Sequence, residues 1–192
     1  MLDGFRDADP HFVSSLHVAI HQLAHHLPTK ATMEQLCNLL QEAVEQGDLG
    51  EGSVSAAFYL EAGDQAKCLR AGDTRIYWLF RKERTKDHSR AQDFIGQGKS
   101  PPASLNKHPL RNCLTRALSQ QQGFDILQEQ NCRPMEPGEK LLMCSDGYWR
   151  HWHDEYIYTC QSVERLDESA RRSINPANTE RDNCCLMLLR CW

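Results

Sequence analysis

Three aspartates in this 192-residue sequence stand where short apolar runs begin or end, a setting that suits ligands of a metal ion. Asp146 comes two residues after one apolar run and is followed by a glycine. Asp3 is also followed by a glycine, Gly4, and Asp182 lies two residues before the last apolar run. Because glycine lets the backbone turn sharply, these carboxylates are expected at strand ends. Carboxylate oxygens are the ligands that Mg²⁺ and Mn²⁺ prefer, so the three residues predict one metal site assembled by the fold.

Two further sets of metal-binding residue types have a plainer interpretation. His17, His21 and His25 recur every four residues beside the apolar stripe of a predicted helix. Two such histidines can hold a transition metal, but a solvated helix flank is the simpler interpretation. The nine cysteines form no CxxC pair and stand mostly in apolar runs. This favours buried free thiols over a disulfide framework or a zinc site.

Helices are predicted from the periodicity of apolar residues. These residues recur at helical spacing over 10–27, where Pro10 suits a first helical position. Thr32 can cap a second helix, whose apolar face runs to Val44. Two more helices are predicted over 154–163 and 164–173.

Strands are predicted from short apolar or alternating runs over 54–61, 67–71, 75–80, 123–130, 140–144 and 184–190. The second and third runs meet at Gly72 and Asp73, so the first three strands predict an antiparallel meander. Residues 91–107 contain two glycines and two prolines and predict a long irregular segment with one short helical piece. Strands in the middle and at the end, with helices before and between them, indicate an α+β fold in a single domain over residues 1–192.

Net charge and hydropathy give no reason to expect nucleic acid or a membrane as a partner. The net charge of −4, with mixed signs, gives no indication of binding to nucleic acid or to an anionic membrane. No apolar run approaches the ~20 residues of a membrane-spanning helix, and Met1 is not followed by the pattern of a signal peptide. Together with the free thiols, this predicts a cytoplasmic protein, which we expect to be a monomer.

Six short segments follow one another in a characteristic order. They are an Asp-Gly motif (2–4), a Gly-Asp-Thr-Arg turn with an aromatic residue (71–77), Asp-His-Ser (86–89), the His-Pro segment with its Leu-Thr-Arg-Ala-Leu continuation (108–118), Ser-Asp-Gly (144–147) and Arg-Asp-Asn (181–183). In this order the chain resembles the metal-dependent, type 2C (PPM) serine/threonine protein phosphatases in their small bacterial form. The six segments span nearly the whole chain.

The resemblance implies a fold and a set of ligands. The fold would be two antiparallel β-sheets packed as a sandwich with helices on the outside. Two Mn²⁺ or Mg²⁺ ions ~3.5–4 Å apart would make hydroxide available near neutral pH and neutralise phosphoryl charge. Asp3 would bridge both ions, the carbonyl of Gly4 would bind one, and Asp146 and Asp182 would bind the other. Asp87 matches the position of a third, weaker metal ion, although a cap or turn role is the alternative for any isolated aspartate.

The sequence departs from the family near this site. The family carries, ahead of its Asp-Gly motif, about two strands with a phosphate-binding arginine and a Glu-Asp pair that holds metal-bound waters, and these are expected to be missing. Phe5 stands where Met or His is usual, and Arg6 and Asp7 replace two glycines. The family's Gly-Thr-Thr strand start is replaced by 52–54. We expect Arg6 to supply part of the phosphate clamp, because a guanidinium can bind two phosphate oxygens at once, and an exposed charge is the alternative.

These features predict metal-dependent hydrolysis of phosphoserine and phosphothreonine in proteins by a metal-activated water. The partner would be a phosphorylated protein, such as the substrate of a serine/threonine kinase. Because the groups ahead of the motif are missing, weak activity is expected. The alternative is a pseudophosphatase that acts as a binding or regulatory module. A plain α+β scaffold is the third interpretation, and the ordered motifs argue against it.

Overall fold

The computed structural model describes residues 1–5, 10–46, 52–119, 121–174 and 184–191. Its strands are β1 (Leu2–Phe5), β2 (Ser53–Ala62), β3 (Gln65–Ala71), β4 (Arg75–Trp78), β5 (Glu83–Arg84), β6 (Gln128–Cys132), β7 (Lys140–Cys144) and β8 (Leu186–Arg190). Its α-helices are α1 (Pro10–Ala24), α2 (Met33–Gln46), α3 (Arg90–Gly96), α4 (Asp146–Trp149), α5 (Asp154–Thr159) and α6 (Val163–Ser173), and Pro102–Lys107 and Phe124–Ile126 are 3₁₀ helices. Within these described ranges, no helix is long and apolar enough to cross a membrane.

The chain divides into two compact units, and neither is continuous in sequence. The N-terminal unit comprises Leu2–Gly72 and Arg116–Pro134. The C-terminal unit comprises Asp73–Thr115 and Met135–Trp192, together with Met1. The expectation of one domain over residues 1–192 stays a prediction.

The N-terminal unit is a four-stranded antiparallel sheet with helices α1 and α2. Its strand order is β1-β2-β3-β6. Leu16 of α1 and Leu40 and Val44 of α2 are buried in one cluster with residues of β2 and β3, such as Phe58 and Leu69. This burial explains why the apolar stripes of both helices could be predicted from periodicity.

Thr32 begins α2 as predicted. Its Oγ1 accepts a hydrogen bond from the N–H of Gln35 at 3.2 Å, and the Gln35 side chain accepts one from the N–H of Thr32 at 2.8 Å. This reciprocal capping box satisfies two donors that the first turn of a helix leaves free. Helix α1 ends at Ala24 rather than Leu27, because the last N–H groups bond three residues back, as in a 3₁₀ turn, before Pro28.

The C-terminal unit is a second four-stranded antiparallel sheet, in the order β5-β4-β7-β8. Its core contains side chains of β4 and β7, such as Tyr77 and Leu142, packed against Trp149, Ile157 and Leu166 of α4, α5 and α6. Two antiparallel sheets with separate helices confirm the predicted α+β class.

The predicted meander of the first three strands is wrong. Strands β2 and β3 pair as expected, but β4 pairs with β5 and β7 in the other sheet. The chain leaves β3 at Gly72, which has φ +97°, and a Cβ there would lie 2.4 Å from the Ser55 side-chain oxygen. The glycine therefore allows a close backbone approach and a change of sheet, where the sequence suggested a hairpin turn.

Smaller differences occur where strands were predicted to begin. The strand predicted over 123–130 starts as the 3₁₀ turn Phe124–Ile126, and β6 runs from Gln128 to Cys132. The predicted strand 184–190 is regular only from Leu186. Helix α4 was not predicted, because four residues are too few to show a periodic pattern.

Candidate active site

Strand β7 places Asp146 at a firmly held strand end. Ser145, the residue between β7 and Asp146, is fully buried. Its N–H donates to the carbonyl of Cys185 at 3.1 Å, and its Oγ accepts from the Cys185 N–H at 3.0 Å. Asp146 follows as the first residue of α4 and is half-buried. The backbone that carries this carboxylate is therefore tied to the segment that leads into β8.

The start of β4 lies at the same end of this sheet. Arg75 pairs with Cys144, so Asp73, two residues earlier, approaches the turn that follows β7. The indole N–H of Trp149 donates to the carbonyl of Asp73 at 2.9 Å. Helix α4 is thereby fixed to the strand entry, and the position of Asp146 is fixed with it.

Asn106 holds the other end of α4. Its side-chain amide donates to the carbonyls of Trp149 at 3.3 Å and Trp152 at 2.9 Å. The carbonyl of Trp149 also accepts from the N–H of Trp152 at 3.2 Å, so Asn106 joins the last residue of α4 to the turn that follows it. The 3₁₀ helix that carries Asn106 comes from the segment predicted to be irregular, and here it has a defined structural role.

Asp87 forms a buried ion pair with Arg75. Both carboxylate oxygens of Asp87 accept hydrogen bonds from the guanidinium at 2.7 Å, and both side chains are 1% exposed. The guanidinium also lies 3.4 Å from the centre of the Trp149 ring, a cation–π contact. The structure thus gives Asp87 a cationic partner, and its role as the ligand of a third metal ion stays a prediction.

Asp154 extends this network towards the surface. It accepts hydrogen bonds from Arg84 at 2.6 Å and from the Tyr77 hydroxyl at 2.9 Å, and it lies 3.6 Å from Arg75. Burial acts to raise the pKa of Asp154, but the charges of Arg84 and Arg75 outweigh it and hold the pKa below its ordinary value of 3.8. Burial raises the pKa of Tyr77, so its hydroxyl keeps its proton and donates.

Asp3 belongs to the N-terminal unit. It lies in β1 opposite Ser55 of β2 and is 8% exposed. The neighbouring Gly4 pairs with Val54 in the same ladder. Both residues therefore stand on an ordered strand, as a ligand motif requires, at the edge of that unit's sheet.

The remaining predicted site residues, Arg6 and Asp182, lie outside the described residues. Across the described ranges, no group of three or more His, Cys, Asp or Glu residues is arranged to hold a metal ion. The donor chemistry still fits a hard divalent cation, because Asp146 offers carboxylate oxygens at a strand end. The start of β8, four residues after Asp182, pairs with that end through Leu186 and Cys144.

Sequence and structure comparisons agree on the relatives of this chain. No protein-family model matches it. Over 131 residues it is 31% identical to the serine/threonine protein phosphatase PstP of Mycobacterium tuberculosis, a stretch that is 67% of this chain and 25% of PstP. The crystal structure of the M. tuberculosis phosphatase PstP matches with a TM-score of 0.74 and 22% identity, covering 99% of this chain and 86% of that one. The chain is thus similar in sequence to part of the phosphatase PstP, and it shares the fold of that protein's solved structure.

The chain spans about a quarter of the length of the curated relative it matches. A second solved structure, the catalytic domain of PstP in complex with two manganese ions, matches the type 2C fold of this chain with a TM-score of 0.72 and 21% identity. It covers 97% of this chain and 83% of that one. The resemblance predicted from the ordered motifs is thus confirmed for the fold.

Sequence reasoning missed the residues that position the site. Arg75 stands in the Gly-Asp-Thr-Arg segment, whose pattern assigns it no role, and Trp149 and Asn106 lie outside all six recognised segments. Their contacts join segments 43 to 76 residues apart, and no local pattern reports such contacts. The only signal was the adjacency of Arg75 to the Gly-Asp turn.

Proposed function

We propose that the chain is a metal-dependent phosphatase that hydrolyses phosphoserine and phosphothreonine esters in proteins. One observation carries the proposal. Asp146 follows β7 at a strand end held by Ser145 and Cys185, and β8, which begins four residues after Asp182 in sequence, pairs with that same end. Carboxylates at such an end suit a hard divalent cation. The 31% identity to PstP supports a phosphorylated protein as the substrate.

Within this proposal, Asp146 and Asp182 hold a Mn²⁺ or Mg²⁺ ion, and Asp3 and the carbonyl of Gly4 are ligands as the resemblance implies. When bound, a pair of such ions supplies hydroxide near neutral pH and offsets charge on the phosphoryl oxygens. The chain's own contribution is orientation, because the bonds of Ser145 fix the backbone that carries the Asp146 carboxylate. Asp87 would bind a third ion only if its ion pair with Arg75 were broken.

The proposal has finer features, of which the role of Arg6 rests on its position three residues after Asp3. Arg6 binds two oxygens of the substrate phosphate, which a guanidinium can do and an ammonium cannot. The substrate is phosphorylated by a serine/threonine kinase, and the protein acts as a monomer. A cytoplasmic location is supported by the cysteines, all nine of which are free thiols.

The first prediction concerns the metal. Mn²⁺ at ~100 times its dissociation constant should raise the melting temperature by about 5–10 °C, because an ion that binds only the native state stabilises it. Asp146→Asn and Asp182→Asn should each abolish the shift and lower Mn²⁺-dependent hydrolysis of p-nitrophenyl phosphate at least ~10–100-fold. Asp64→Asn, in the exposed turn between β2 and β3, is the matched control and should change neither.

The outcomes separate the candidate functions. Hydrolysis of p-nitrophenyl phosphate and of a phosphoserine peptide, both lost in Asp146→Asn, would support the phosphatase. A Mn²⁺-dependent melting shift without hydrolysis of either substrate would overturn it in favour of the binding module. A shift that survives in Asp146→Asn would mean that the ion binds elsewhere.

A further inference from the structure

Two cysteine sulfurs touch on neighbouring strands of the N-terminal unit. Cys68 lies in β3 and Cys132 at the end of β6, and their Sγ atoms are 3.5 Å apart. In the register of the two strands, Ala66 pairs with Cys132 and Cys68 pairs with Gln130. The cysteines are therefore diagonal neighbours whose side chains share one face of the sheet.

The two sulfurs are in non-bonded contact, at a distance of 3.5 Å. A disulfide joins its sulfurs at ~2.05 Å, so closure requires an approach of about 1.5 Å, which side-chain rotation and a small strand shift can supply. Strand β6 is the last strand of its sheet, with β3 as its neighbour. An edge strand of this kind has freedom to shift that a central strand lacks.

We propose that Cys68 and Cys132 are an oxidisable dithiol, a modification site that closes reversibly to a disulfide with a hydroperoxide as oxidant. The two sulfurs differ in access, since Cys68 is fully buried and Cys132 is half-buried. Cys132 is thus the sulfur that meets the oxidant, and Cys68 is the resolving sulfur beside it.

The reaction balances with hydrogen peroxide as the only co-reactant. The Cys132 thiolate attacks one peroxide oxygen, the O–O bond breaks, and the departing oxygen leaves as water, which gives a sulfenic acid. The Cys68 sulfur then attacks the Cys132 sulfur, the S–O bond breaks, and a second water leaves. The two sulfurs lose one electron each, the peroxide gains two, and both thiol protons end in water.

The surroundings of the pair fit this order of events. The contact with Cys132 and burial raise the pKa of the Cys68 thiol, while the positive charge of Arg70 acts to lower it. Arg70 follows two residues after Cys68 on the same face and reaches Gln130 at 3.4 Å. Cys68 therefore stays protonated as the thiol until Cys132 is oxidised, and a cation lies near the charge that develops on sulfur.

The disulfide would have a structural consequence. It would join residues 64 positions apart and tie the edge strand β6 to β3. A cross-link over so long a loop restricts the unfolded chain, so the oxidised protein should melt at a higher temperature than the reduced one.

The test uses the full chain, treated with increasing hydrogen peroxide, then alkylated with iodoacetamide and digested with trypsin without reduction. The expected product is a cross-linked peptide joining residues 68–70 to residues 117–140, lighter by two hydrogen atoms than the sum of its parts and split by dithiothreitol. Cys132→Ser should abolish this product. Cys113→Ser, which removes an exposed cysteine of the other unit, is the matched control and should leave it unchanged.

Three results would overturn the proposal. The first is oxidation of Cys113 at peroxide levels that leave Cys68 and Cys132 both alkylated. The second is conversion of Cys132 to a sulfinic acid without the cross-linked peptide. The third is a link between two copies of the chain, which a non-reducing gel would show as a dimer.

Discussion

At the scale of single residues, Arg75 and Asp87 form a fully buried ion pair within the described part of the candidate site. Both side chains are 1% exposed, and each satisfies the other with two hydrogen bonds. Such a pair adds little net stability compared with an apolar pair, but losing one partner leaves a buried charge alone. The pair therefore fixes the position of the segment around Asp87.

The pair yields a stability prediction. Arg75→Met should lower the free energy of unfolding by about 3–5 kcal/mol, measured by urea denaturation, because buried Asp87 would lose both of its guanidinium hydrogen bonds and keep only the more distant Arg84, at 3.9 Å. The double variant Arg75→Met with Asp87→Leu should lose less unfolding free energy than Arg75→Met alone. The matched control is Arg171→Ala in the solvent-exposed pair with Asp167, which should leave stability essentially unchanged. Equal losses in Arg75→Met and the control would contradict the prediction.

Asp154 yields a prediction about pH. Its folded pKa lies below 3.8, chiefly because Arg84 outweighs burial, so its ion pairs stabilise the fold above the unfolded pKa. That contribution is lost as pH falls through the folded pKa. Asp154→Asn should therefore be less stable than the wild type near pH ~7, and the difference should shrink towards pH ~2.5.

Urea denaturation across this pH range measures the difference. In an Arg84→Met background, where the main cation is gone, the effect of Asp154→Asn should depend much less on pH. A wild-type to Asp154→Asn difference that stays constant from neutral to acid pH would mean that Arg84 does not hold the charge of Asp154.

Residue types and their neighbours in sequence predict the strand end at which Asp146 stands, and the end of β7 at Cys144 confirms that placement. The role of Asp146 as a metal ligand stays a prediction. The partner of Asp87 could not be predicted the same way. The choice between Arg75 and a metal ion depends on a contact between residues 12 positions apart, which the types of the two residues do not specify.

At the scale of elements, the exit from β3 is more constrained than the turn between β2 and β3. A Cβ on Gly72 would lie 2.4–2.8 Å from atoms of Ser55, including its backbone Cα, and the backbone has φ +97°. Gly63, in the turn between β2 and β3, also has a positive φ of +62°, but nothing lies within 4 Å of its Cβ position. Comparing a substitution at Gly72 with one at Gly63 therefore separates the effect of steric clash from the effect of backbone strain.

Gly72→Ala should lower the free energy of unfolding by at least about 3 kcal/mol, because strain and overpacking both act there. Gly63→Ala should cost only about 1 kcal/mol, the usual penalty of a left-handed alanine. Thermal or urea denaturation of the two variants gives the comparison. Similar losses of unfolding free energy in the two variants would show that β2 can shift at Ser55 to accommodate the added Cβ.

Elements with strong local patterns were predicted almost in full. Helix α2 carries both a capping box and an apolar face, and α6 begins where Ser162 accepts a hydrogen bond from the N–H of Arg165. The sheet to which β4 belongs was not predictable in this way. Its partners β5 and β7 are selected by burial of Ile76 and Tyr77, and the local sequence around Gly72 equally suits a hairpin.

At the scale of the whole molecule, each compact unit is built from separated pieces of the chain. Leu2–Gly72 needs Arg116–Pro134 to supply β6, and Asp73–Thr115 needs Met135–Trp192 to supply β7 and β8. The α+β class could be predicted because it depends only on the order of elements. The division into units could not, because it depends on which strands pair over long separations.

The pairing of β4 with β7 also delays the folding of the nascent chain during translation. When Arg75–Trp78 leaves the ribosome, its partner Lys140–Cys144 has not been made. Roughly 60 further residues must be translated, which takes about 3–12 s at 5–20 residues per second. During that interval one backbone edge of β4 lacks its hydrogen-bonding partner, and such an unpaired edge is prone to pair with other chains unless a chaperone holds the nascent chain.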